Sequence, residues 1–149
     1  MKKSAGFSLV ELIVITAILA LLGAVGFAGL VDYSRSQTLK TAARDLRTNL
    51  RLAQNKAMSQ QVPAGCTNLN SYQVRFINLT NYVIEPICGG VPQTPVAQFA
   101  LPENVTKTAG SDPIPFKVQT GNVDVQETIT LTGFGKSETI TITVTGVIQ

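Results

Sequence analysis

At 149 residues, the chain has room for one modest domain; with 14% of its residues charged and a net charge of +3, it has too little charge to imply nucleic acid or an acidic substrate. No histidine is present, which excludes serine or cysteine nucleophiles activated by a histidine base. Phosphate-loop, CxxC and EF-hand spacings are absent too, so no cofactor and no metal are expected.

The apolar balance of the chain comes from its first thirty or so residues rather than from the whole. Lys2 and Lys3 precede residues 12–31, a run without a single charge. Such a run is long enough to cross a hydrocarbon core of about 30 Å at about 1.5 Å per residue. The two lysines would keep the N-terminus cytoplasmic and send the C-terminal region across the membrane.

An ordinary signal peptide shares part of this pattern, with small residues suited to cleavage at Ala24-Val25-Gly26. Two features oppose it. Glu11 stands at the head of the apolar run, where a carboxylate at membrane depth costs roughly 2.5 kcal/mol or more unless it is paired or held at the interface. The pattern after Val31 also stays helical, where a secreted domain more often starts with a turn.

The N-terminal residues Lys2-Lys3-Ser4-Ala5-Gly6-Phe7-Ser8-Leu9-Val10-Glu11-Leu12-Ile13 resemble the class III signal of type IV pilins and type II secretion pseudopilins. The resemblance implies cleavage after Gly6 by a prepilin peptidase and methylation of the new amine of Phe7. It also implies that Glu11 meets the N-terminal amine of a neighbouring subunit. A carboxylate that is costly alone in lipid becomes tolerable when the opposite charge arrives in register. Ala20, Ala24 and Ala28, with Gly23, Gly26 and Gly29 beside them, suit close helix approach.

Beyond the apolar run, Arg35, Lys40, Arg44, Arg47, Arg51 and Lys56 face only Asp32 and Asp45, whereas the sequence from Gln61 onward is mildly acidic. The basic stretch is read either as a solvated face or as a contact with anionic lipid or a neighbouring subunit. Leu39, Ala43, Leu46, Leu50, Ala53 and Ala57 recur at steps of four and three, the mark of one apolar helix face. Helix is predicted from Phe7 to near Gln60, ended by Val62-Pro63-Ala64-Gly65, with Leu46, Leu50, Ala53 and Ala57 laid against the rest of the domain. Residues 50–57 are similar to the helix end of GspH/FimT-type minor pilins and pseudopilins.

Strands are predicted at 72–77, 81–87, 97–101, 115–119, 127–132 and 139–147. In the last two, Ile129 and Leu131 alternate with threonines, as do Ile140, Ile142 and Val144, around a loop at 133–137. Cys66 and Cys88 read as one disulfide if the head is exported, worth about 3 kcal/mol by chain entropy, with two free thiols as the alternative.

Asp112, Asp124 and Glu127 do not match the calcium loop of major type II pseudopilins. The tail Gly146-Val147-Ile148-Gln149 lacks the arginines of DNA-binding FimT-like tails, so nucleic acid is not an expected partner.

The expected fold is α+β: a long N-terminal helix packed on a C-terminal antiparallel β-sheet head. Its parts are a leader (1–6), a transmembrane polymerisation helix (7–31), an amphipathic helix (32–60) and a β-rich head (61–149). The resemblance implies a structural subunit, not an enzyme. Its partners would be other pilins or pseudopilins, the prepilin peptidase and an inner-membrane assembly platform, with the head outside the cytoplasm. The alternative left open is a membrane-anchored or secreted ligand-binding module with an ordinary signal peptide.

Overall fold

The computed structural model describes residues 8–149, apart from the side chains of residues 23–28. The chain divides into two compact units, Met1–Arg35 and Ser36–Gln149. One helix, α1 (Leu9–Met58), belongs to both, and its assignment is unbroken through the glycine-rich stretch. It ends slightly before the predicted proline-glycine stop, at a hydrogen-bonded cap. Gln60 takes the left-handed conformation (φ 50) and donates from its N–H to Ala57 O, while the N–H of Gln61 donates to Lys56 O. That pair of bonds satisfies carbonyls the helix would otherwise leave orphaned.

Eight strands follow: β1 (Leu69–Phe76), β2 (Asn81–Cys88), β3 (Val91–Pro92), β4 (Ala97–Ala100), β5 (Val105–Gly110), β6 (Ile114–Lys117), β7 (Glu127–Gly133) and β8 (Lys136–Ile142). They form two antiparallel sheets, one ordered β3-β2-β1-β6 with β4 also paired to β2, the other β5-β7-β8. Both contribute to one core with the second half of α1. Leu46, Leu50, Ala53 and Ala57 are each 0% exposed, and they cluster with Tyr72, Val74, Ile84, Ile114, Phe116, Ile129, Leu131, Ile140 and Ile142. Burying each large apolar side chain contributes about 1.5–3 kcal/mol. The predicted apolar face is therefore the face that packs. Alanine at several of its positions lets the helix backbone approach the strands closely.

Three expectations are corrected. The loop predicted at 133–137 is a two-residue turn, Phe134 and Gly135, both with positive φ (54 and 74), and Gly133 pairs with Lys136. This is the backbone hand that matches strand twist, and glycine supplies half of it at no steric cost. The last strand stops at Ile142 rather than Val147, so Val144 is exposed, not a core residue. Beyond it the chain turns back through Gly146 (φ 81), with Gly146 N–H donating to Thr143 O, and Ile148 rejoins Ile142 in an isolated bridge. The third correction is β5, which the sequence reading missed. Its register shifts between Lys107 and Ala109, breaking the alternation that marks a strand.

Candidate assembly surfaces

Gly6 and Phe7, the expected cleavage and methylation positions, lie outside the described residues, and the surroundings of Gly23, Ala24, Gly26 and Ala28 are likewise not described. Glu11 sits exposed in the first turn of α1, the helix end at which the macrodipole favours an acidic group. The large apolar residues around it, from Leu9 (74% exposed) through Leu19 (62%) to Leu22, are all exposed, and as consecutive residues they cover every side of the helix. A helix that is apolar all round requires burial on every face. Among the described residues no helix is both long and apolar enough to cross a membrane, and residues 23–28, in the second half of the charge-free run, stand outside that statement.

Cys66 and Cys88 are joined, with Cα atoms 5.7 Å apart. The bond ties the segment after the helix to the end of β2, so the exit of α1 is fixed to the first sheet.

Two grooves open on the head. The first, about 270 Å³, lies between α1 and the β2–β4 pair and is lined by Asp45, Thr48, Asn49, Tyr82, Phe99 and Ala100. Asn49 Nδ2 donates to Tyr82 Oη at 2.8 Å, and the Tyr82 ring stacks on Phe99 with centroids 5.5 Å apart. Burial pushes the Tyr82 hydroxyl pKa up, the hydrogen bond from Asn49 opposes this, and the negative charge of Asp45 adds to the rise.

The second groove, about 370 Å³, is lined by Phe76, Asn78, Leu79, Thr108, Ala109, Gly110 and the pair Lys107 and Asp112. Lys107 Nζ lies 3.2 Å from Asp112 and 4.7 Å from the centre of the Phe76 ring, and it donates to Ser111 O. Its charge is thus already answered. Asp124 pairs with Lys117, and among the described residues no cluster of three potential ligands could hold a metal ion.

Among the described residues the most deeply buried charge is Glu85, 1% exposed on β2. Arg75 grips its carboxylate with Nε at 2.7 Å and Nη2 at 3.0 Å, and Gln73 Nε2 adds a bond of 2.7 Å. The Arg75 hydrogen bonds, more than burial opposes them, hold the Glu85 carboxyl below its ordinary pKa. The sequence reading singled out neither Glu85 nor the Asp45 groove, because a charged residue within a strand or helix carries no sign of which distant residues it meets.

Residues 1–27 match the family profile of the prokaryotic N-terminal methylation motif. The fold is similar to that of the minor pseudopilin EpsH from the type 2 secretion system of Vibrio cholerae. The TM-score is 0.54 at 13% identity, covering 74% of this chain and 94% of that one. No curated protein sequence matches the chain. The class III type of N-terminus and the pilin-like α+β architecture expected from the sequence are thus both found.

Proposed function

We propose that the chain is a structural subunit, a pseudopilin or minor pilin, of a type IV pilus, a type II secretion system or a related DNA-uptake filament. A prepilin peptidase cuts after Gly6, the amine of Phe7 is methylated, and the first half of α1 anchors the subunit in the inner membrane before assembly. The head lies outside the cytoplasm, and the subunit itself performs no catalysis.

The observation that carries this reading is the methylation motif over residues 1–27 placed at the start of a helix whose large apolar side chains face outward on every side. Lipid satisfies such a helix before assembly, and the helices of neighbouring subunits satisfy it afterward. Glu11 gives the transfer a direction, because its charge is tolerated best where an amine from another subunit meets it. Neither the fold nor the matches favour the alternative of a ligand-binding module with an ordinary signal peptide.

The mature N-terminus decides between them. Intact mass and N-terminal sequencing of the membrane-extracted protein should give a chain that begins at methylated Phe7. A chain that begins beyond Gly26 or Ala28 would overturn the proposal.

A further inference from the structure

The outer half of α1 carries two chemically opposite flanks, one on each side of its buried face. At about 100° per residue, Asp45, Thr48 and Asn49 fall on one flank, and Lys40, Arg44, Arg47 and Arg51, at steps of four, three and four, fall on the other. The head confirms the two sides. Asn49 bonds Tyr82 of β2, whereas Arg51 Nη2 donates to Ile148 O of the C-terminal segment at 3.2 Å.

Each flank is unfinished. Asp45 is exposed and forms no ion pair among the described residues, and its helical neighbours three and four residues away are Thr41, Ala42, Thr48 and Asn49, none of them basic. No basic side chain lines the groove beside it. On the other flank, Lys40, Arg44 and Arg47 likewise form no ion pair among the described residues, and Arg47 Nε is buried without a hydrogen-bond partner.

We infer that the groove of Asp45, Asn49, Tyr82 and Phe99 is a receptor for an arginine from the basic flank of a second copy of this chain. The chemistry fits a guanidinium in particular. The Asp45 carboxylate accepts its planar fork, Asn49 Oδ1 offers a further acceptor, and the half-buried Phe99 ring, backed by the buried Tyr82, provides an aromatic surface on which it lies. Donor and receptor sit on different sides of the same helix, so the contact is heterologous. It leaves one unused flank on each outer copy, so a contact of that kind continues from copy to copy rather than closing as a dimer. The inference rests on the subunit assignment proposed above and supplies what the head adds to it: a register between neighbouring stems.

Charge reversal in the full-length chain, cross-linked in native membranes, tests it. Asp45→Arg should lower the yield of cross-linked copies about fivefold, as should Arg44→Asp combined with Arg47→Asp. Differently tagged copies of the two variants, expressed together, should cross-link to each other at near the wild-type yield. Thermal melting of each variant verifies that the head is folded, and Asp45→Asn, which keeps the side-chain shape, should show a smaller loss in the same direction. Wild-type yield in Asp45→Arg, no recovery in the mixture, or association with a sister subunit but never with a second copy would each overturn the inference. The mature N-terminus is read separately, so a failure here leaves the subunit assignment standing, and a failure there is recognised as such.

Discussion

The two halves of α1 use much the same apolar residues and meet opposite fates. Between Leu39 and Ala57 the apolar residues keep to one stripe, and strands of the same chain cover that stripe completely. Between Leu9 and Leu22 they occupy every side, and none of the large ones is covered. Confining apolar residues to a stripe lets one domain satisfy the helix. Spreading them around the helix demands partners on all sides, which a single small head cannot supply.

The comparison breaks first at Leu50 and Leu19. Leu50→Ala should destabilise the head by about 2–5 kcal/mol, because it empties a site already closed to solvent. Leu19→Ala should change the stability of the detergent-solubilised chain by less than about 0.5 kcal/mol. Chemical denaturation followed by a signal from the head measures both. Equal effects would mean that the first half of α1 is covered within the chain after all.

A smaller effect sharpens the contrast electrostatically. The head contains the Glu85–Arg75 pair, which the apolar run has no means to imitate. The folded-state pKa of Glu85 lies below its unfolded value, so the pair's contribution is present above the ordinary carboxylate range and is lost as the pH falls through the folded value. Melting temperatures should therefore decline on acidification, and Glu85→Gln should flatten that decline while lowering stability at neutral pH. A variant with the wild-type pH profile would show that the pair contributes nothing.

How much of this was legible in the sequence follows from periodicity. The covered stripe at Leu46, Leu50, Ala53 and Ala57 could be read because a helix repeats every three to four residues whatever lies against it. The alternation of β7 and β8 could be read for the same reason, but it ran on past the true end. Thr143, Val144 and Thr145 keep the pattern while the backbone has already begun to turn toward Gly146. The two-residue β3 is too short to show any period, and β5 hides its period behind a register shift and the buried Lys107. At the candidate surfaces, the N-terminal motif is local and was visible at once. The Asp45 groove was not, since Asn49, Tyr82 and Phe99 come together only when α1 meets β2 and β4.

The central claim is that partners from other subunits complete the uncovered half of α1, with Glu11 guiding them into place. Glu11→Leu in cells that carry the assembly machinery tests it most directly, scored by recovery of the chain in complexes with other pilins. The variant should remain in the membrane with an unchanged head but be lost from those complexes. Recovery at the wild-type level would contradict it.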